Sequence, residues 1–138
     1  MADTDNLFDV TIITPEREFY SGKVKMLEFN TTEGEIGIYK NHIPLTTVIA
    51  PGIVTLTEAD DVKCAAVHAG FAEILGDAVT ILAEIAEWPP EIDVDRAKRA
   101  EDRARGRIDG KDDSLDMLRA EIALKKSLVR QDVVARSK

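Results

Sequence analysis

One cysteine, two histidines, seven aromatic residues and no long apolar run set the first limits on this 138-residue sequence. A lone Cys64 cannot close an intramolecular disulfide, and within Val62-Lys63-Cys64-Ala65-Ala66-Val67 it reads as a small buried hydrophobe. No stretch approaches the roughly 18 apolar residues of a membrane helix, so direct membrane insertion is not expected. The opening Met1-Ala2-Asp3-Thr4-Asp5-Asn6 has neither the basic start nor the apolar stretch of a secretory signal, which favours a cytoplasmic chain. His42 and His68 fall in separate strands or turns, and with one cysteine they form no metal-ligand cluster. No nucleophile stands beside a base, so no catalytic residue is assigned and an enzyme acting alone is disfavoured. Gly106-Arg107-Ile108-Asp109-Gly110-Lys111-Asp112 is not a phosphate loop: it has one residue too few between its glycines and lacks the Ser or Thr that holds magnesium. With 5% aromatic residues and an acidic first half, the chain offers nucleic acid neither a stacking platform nor a phosphate-neutralising surface.

What is present is charge, distributed unevenly. Residues 1–89 carry 15 acids against 5 bases, and residues 90–138 carry 11 acids against 13 bases, so the net charge of -8 conceals two halves of opposite sign. The most basic stretch holds Arg119, Lys125, Lys126, Arg130, Arg136 and Lys138 against Glu121 and Asp132, and its natural target is an acidic surface.

From Leu7 to about Ala86 apolar residues alternate with polar ones, as in Phe8-Asp9-Val10-Thr11-Ile12, the period of strands with one buried face. Turn residues recur about every ten positions, at Thr14-Pro15, Ser21-Gly22, Glu33-Gly34, Lys40-Asn41, Ala50-Pro51-Gly52, Ala59-Asp60-Asp61, Ala69-Gly70 and Gly76-Asp77. Many short strands at that spacing predict a sandwich or barrel, and no crossover helix for a parallel sheet is present. At Trp88-Pro89-Pro90-Glu91 the period changes; the prolines forbid ladder donors there and mark a linker and hinge. Beyond it, Ala97, Ala100, Ala104 and Ile108 predict a first helix, with Asp93 as its cap and Gly110 at its end. A second follows, capped by Ser114, with Leu115, Leu118, Ile122, Val129 and Val133 along one side. The fold class is mainly β with an α appendage: a docking domain over 1–88 and a helical hairpin over 89–138. Alanine buries little area, so the hairpin must rest on another surface, and a small free-energy gap between resting places suits a switch.

The segment Glu33-Gly34-Glu35-Ile36-Gly37-Ile38-Tyr39-Lys40-Asn41-His42-Ile43-Pro44-Leu45 resembles the signature of the F-type ATP synthase epsilon subunit, and Thr14-Pro15-Glu16, Tyr20-Ser21-Gly22, Ala69-Gly70-Phe71-Ala72-Glu73, Val79-Thr80-Ile81-Leu82-Ala83 and the closing hairpin extend the likeness over nearly the whole chain. The resemblance implies a ten-stranded sandwich in the central stalk, a non-catalytic role, and partners in the gamma subunit, the c-ring and the catalytic alpha and beta subunits. It also implies a peripheral place on the cytoplasmic face of the cell membrane. It makes Glu35, Tyr39 and His42 docking residues for the c-ring; from the sequence alone, His42 is only a loop histidine. Gly34, Gly37 and Pro44 are explained by turn geometry.

A second family motif matches Ile92-Asp93-Val94-Asp95-Arg96-Ala97, and in bacterial relatives it binds ATP. The resemblance implies ATP contacts at Glu87, Ile92, Asp93, Arg96, Ala97, Arg103, Lys126 and Arg130, with ATP a regulatory ligand and no cofactor required. Lys126 stands where such relatives carry arginine, a point charge in place of a planar fork. Read without the family, Asp93 is a good helix cap and Arg96, Arg99 and Arg103 form a solvated face. The basic second helix, with Arg119, Lys125, Lys126 and Arg130, is implied to pair with an acidic catalytic surface when extended; the alternative is a structural adaptor that neither binds nucleotide nor inhibits.

Overall fold

The computed structural model describes residues 6–110 and 114–137, the side chains of 114–116 excepted. Among these, the alternating half forms eight strands: β1 (Phe8–Ile13), β2 (Glu18–Val24), β3 (Met26–Thr31), β4 (Gly34–Ile38), β5 (His42–Ile49), β6 (Gly52–Thr57), β7 (Val62–Gly76) and β8 (Ala78–Glu87). They run in the order β2-β1-β8-β7-β5-β3-β4, and β6 bridges β3 and β7. β1 lies parallel to β8, with Val10 opposite Val79, while its pairing with β2 is antiparallel. The inward-facing alternate residues, among them Phe8, Val10, Ile12, Leu27, Phe29, Ile38, Leu56, Ile74 and Ile81, form one core.

β7 makes the sandwich possible. Its first half pairs with β6, from Val62 opposite Thr57 to Val67 opposite Gly52, and its second half pairs with β5, from Gly70 opposite Ile49 to Ile74 opposite Leu45. β8 runs along both halves. The handover falls at Ala69 (φ 59°) and Gly70 (φ 134°). At Gly70 a side chain is excluded twice over, by that backbone angle and because a Cβ would overlap the Leu82 carbonyl oxygen. The expected turn at Ala69-Gly70 is therefore a kink inside a fifteen-residue strand. Ser21-Gly22 likewise lies within β2, where the glycine admits the Tyr20 ring. Two expected turns that are strand interiors help explain why eight strands form where ten were implied.

Past β8 a 3₁₀ turn, Pro89–Glu91, leads into helices α1 (Val94–Gly110) and α2 (Ser114–Arg136). Asp93 caps α1: its Oδ1 accepts the Arg96 backbone N–H at 3.1 Å and its carbonyl accepts that of Ala97 at 3.0 Å. The helices meet through small residues seven apart, Ala97 and Ala104 on α1, Ala120 and Ser127 on α2, all buried. Ser127 Oγ satisfies itself by donating to the Leu124 carbonyl at 2.7 Å. The expected apolar side of the second helix is only partly the buried one. Val133 is buried, whereas Leu118 and Ile122 are exposed, because a seam of methyl groups holds the helices too close for leucine between them. The Lys111-Asp112-Asp113 loop lies outside the described residues, as do the side chains of Ser114 and Leu115, the expected cap and stripe member. α2 rests on β6 and β7, which supplies the surface the hairpin lacks. Each buried alanine methyl contributes about 0.8 kcal/mol, against about 1.5–3 for a leucine, so this seam alone is weak.

Gly70→Ala is expected to lower stability by about 3 kcal/mol, from strain and overlap together. Urea unfolding followed through Trp88 fluorescence checks it; an unchanged midpoint would remove β7's kink as a constraint.

Candidate functional site

The candidate site forms where β8 ends. Glu91 turns back on the joint: its Oε1 accepts the Trp88 N–H at 2.8 Å, and Arg17 Nη2, from the β1–β2 turn, reaches both of its carboxylate oxygens at 2.8 Å. Arg17 and the Trp88 N–H hold the Glu91 carboxyl below its usual range. Trp88 stacks on Phe19 with ring centres 4.3 Å apart, and Tyr20 meets it edge-on at 6.2 Å. The joint expected as a hinge is thus clamped on both flanks in this conformation.

Between that joint and the two helices lies a cavity of about 310 Å³, at the small end of the range for small-molecule sites. Of the eight expected nucleotide contacts, Glu87, Ile92, Asp93, Arg96, Ala97, Arg103 and Arg130 line it; Lys126, one turn before Arg130 on α2, does not. Glu91 and Ala100 also line it and were not anticipated. Ala100 sits one turn beyond Ala97, a signal that was available; Glu91 is brought in by the Pro89–Pro90 turn, which alternation cannot reveal. The cavity holds three carboxylates and three guanidiniums. Asp93 is engaged as a cap, Glu91 by Arg17, and Glu87 by Arg130, whose Nε donates to Glu87 Oε1 at 2.7 Å. Arg96 and Arg103 make no side-chain hydrogen bond among the described residues, so the cavity keeps two forks for an anion.

Glu87 also faces inward. His68 Nε2 lies 3.5 Å from the same Oε1, and the ring, on β7, is completely buried with neither nitrogen hydrogen-bonded. Burial pushes the imidazole pKa down, and the charges of Arg130 and Lys126 add to that against the pull of Glu87, so His68 is neutral here. Burial pulls the Glu87 carboxyl upward, but His68 and Arg130 more than offset it and the group titrates below the usual range.

Two domain models match the chain: ATP synthase Delta/Epsilon chain, beta-sandwich domain, over residues 7–89, and the long alpha-helix domain of the same chains over residues 91–134. The chain is 43% identical to the ATP synthase epsilon chain of Halalkalibacterium halodurans, over 92% of its own length and 96% of the relative's. It is 41% identical to that of Caldanaerobacter subterraneus subsp. tengcongensis, over 96% of each. The chain belongs to the ATP synthase epsilon chain family. Its fold superposes on a chain of the Euglena gracilis mitochondrial ATP synthase with a TM-score of 0.79 at 22% identity, covering 95% of this chain and 81% of the other.

In this member of the epsilon chain family, the signature segment forms a rim. Glu35 and Tyr39 are exposed on the outer side of edge strand β4 and just beyond it, and His42 opens β5 half-buried, its Nδ1 2.7 Å from the Ile43 carbonyl. Ile43, 75% exposed, stands beside them and was not singled out. A second surface was missed. Ile13, Leu82, Phe71 and Val48 are exposed and in register across β1, β8, β7 and β5, an apolar ladder over the outside of the sheet. The available signal was the doublets Ile12-Ile13, Val48-Ile49, Phe71-Ala72 and Ile81-Leu82, where a strand is apolar on both faces. On α2, Arg119 and Lys125 are exposed, while Lys126 and Arg130 are half-buried. The four basic residues therefore do not share one solvent face while α2 is docked.

Arg130→Ala strips Glu87 of its cation and is expected to weaken docking of α2 by about 1 kcal/mol, discounted for the pair's partial exposure. Faster hydrogen exchange in α2 with unchanged exchange in β8 is the expected result. Because the Glu87 pKa is depressed on folding, this contribution is complete above the ordinary carboxylate range and is lost as pH falls through the lower folded value.

Proposed function

We propose that this chain is a non-catalytic epsilon subunit in the central stalk of an F-type ATP synthase, restraining ATP hydrolysis through its hairpin, with ATP a regulatory ligand and not a required cofactor. The observation that carries the nucleotide reading is the cavity itself: it is walled by the end of β8, by α1 and by Arg130 of α2, so one ligand there ties both helices to the sandwich. Arg96 and Arg103 receive the phosphates, Arg130 adds a third fork where it can leave Glu87, and the Glu87 and Glu91 carboxylates accept from the base. Lys126 contributes charge from one turn away. When ATP leaves, the weak alanine seam, the rest on β6 and β7, the Gln131–Glu101 hydrogen bond and one ion pair remain to hold α2. On its release the basic residues Arg119, Lys125, Lys126 and Arg130 become free to meet an acidic catalytic surface.

The domain division follows: 1–88 docks and 89–138 regulates. The Glu35, Tyr39 and His42 rim faces the c-ring, and the Ile13–Leu82–Phe71–Val48 ladder faces the gamma subunit, a continuous apolar surface suited to a permanent partner. No helix among the described residues is long and apolar enough to cross a membrane, so membrane association is assigned to these partners on the cytoplasmic face.

Calorimetric titration of ATP into the full chain is expected to give saturable binding that Arg96→Ala weakens by roughly 10- to 100-fold, the scale of one charge-assisted hydrogen-bond pair. No binding at millimolar ATP would leave a structural adaptor. Deleting residues 90–138 is expected to raise ATP hydrolysis by the assembled enzyme, and unchanged hydrolysis would end the inhibitory reading.

A further inference from the structure

We propose that His68 is a proton-operated release for the hairpin: proton uptake by this buried ring favours the state in which α2 has left the sheet. The proposal rests on the reading that the hairpin can leave the sandwich, and adds a second input to it.

The argument begins with an anomaly of satisfaction. A buried imidazole in a packed core ordinarily gives its N–H to one acceptor and takes a donor at the other nitrogen. His68 is fully buried and has neither. The nearest charged atom is Glu87 Oε1, 3.5 Å away and already claimed at 2.7 Å by Arg130. From β8 the ring therefore meets one shared carboxylate; from α2 it meets the charges of Arg130 and Lys126. Its chain neighbours Val67 and Ala69 carry no charge, β6 contains no ionisable side chain, and β5 has only His42, which is in register with Gly76 at the far end of β7. Every cation close to the ring thus belongs to the one element proposed to move.

Releasing α2 changes all of these terms in the same direction. Water reaches the ring, Arg130 and Lys126 depart, and Glu87 loses its partner and becomes a free counter-ion for an imidazolium. The released state therefore binds a proton at or above the ordinary histidine value of about 6.5, while the docked state binds it below that value. A pKa depressed in the docked form makes docking strongest above the released-state value and progressively weaker as pH falls through it. The equilibrium constant for opening rises by up to about tenfold for each pH unit until the docked-state value is reached, since one proton is taken up.

Amide hydrogen exchange of α2 in the full chain, corrected for intrinsic rates between pH 8 and pH 5, measures that constant. Wild type is expected to open increasingly below about pH 6.5, His42→Gln to do the same, and His68→Gln to lose the dependence while keeping protection in β7 and β8. A retained slope in folded His68→Gln, or a flat wild type, overturns the proposal. Should His68→Gln fail to fold, the wild-type ring decides by NMR. An imidazole that titrates near 6.5 while α2 amides stay protected overturns the proposal, and one that titrates only as those amides open supports it. ATP separates this inference from the nucleotide reading. A His68-dependent pH slope that ATP does not shift leaves the proton release standing without nucleotide sensing. ATP protection with a pH slope independent of His68 does the reverse.

Discussion

Glu87 closes the last strand of the sheet, and its carboxylate makes the only salt bridge between the sandwich and α2 found among the described residues, 2.7 Å from the Arg130 guanidinium. The structure beyond it depends on that contact because little else there is strong. The hairpin seam is built of alanines and one serine, whose burial contributes a fraction of what leucines would. A carboxylate that is partly desolvated and held below its usual pKa makes a firmer anchor than a surface pair, and a conditional one. Remove Arg130, and the same group becomes an unpaired, half-buried charge; charge the ring behind it, and His68 competes with Arg130 for the same oxygen.

The sheet and the hairpin proposed to leave it meet at this residue. On the sheet side, β7 and β8 pair continuously from Leu75–Ala78 to Ala66–Glu87, and the kink at Ala69–Gly70 lets one strand serve both layers without ending. That continuity keeps His68 and Glu87 fixed relative to the outer ladder of Ile13, Leu82, Phe71 and Val48, since Phe71 lies three residues beyond His68 and Leu82 five before Glu87 on the same two strands. A partner on the ladder would therefore hold the frame against which the hairpin moves. The Arg17–Glu91 contact and the Trp88 stack extend this frame through the joint, and the proposed release would have to work against both.

The sandwich was legible because alternation over Phe8–Ile13 or Gly52–Thr57 is imposed directly by one buried face. The strand count was not, because Gly70 signals a turn and a kink with the same residue, and only the Leu82 carbonyl pressed against it distinguishes them. The cavity residues were legible through a family motif at 92–97 and hidden otherwise, since Asp93 does serve as the cap that local chemistry suggests. Leu118 and Ile122 were misread for a physical reason: helical periodicity tells which residues share a face and is silent on whether the partner helix offers room for them. His68 was beyond reach, because nothing in Val67-His68-Ala69 shows that the last residue of the next strand and a cation forty-odd positions further on converge upon it.

Charge alone cannot decide where α2 rests. Its basic residues are attracted to the acidic sandwich of its own chain for the same reason that they would be attracted to any other acidic surface, and salt screens both alike. Discrimination between resting places must come from groups used in one and not the other. In the docked hairpin Leu118, Ile122 and Leu128 are at least one-third exposed while Ala120, Ser127 and Val133 are covered. A destination that covers the three large residues gains about 1.5–3 kcal/mol for each one fully buried, more than the alanine seam gives up for each methyl. The docked state is then held by specific polar contacts at Glu87 and the released state is drawn by apolar area. Under the proposed release, such an equilibrium would answer to ligands and protons at Glu87, with its far end set by the surface that receives Leu118, Ile122 and Leu128.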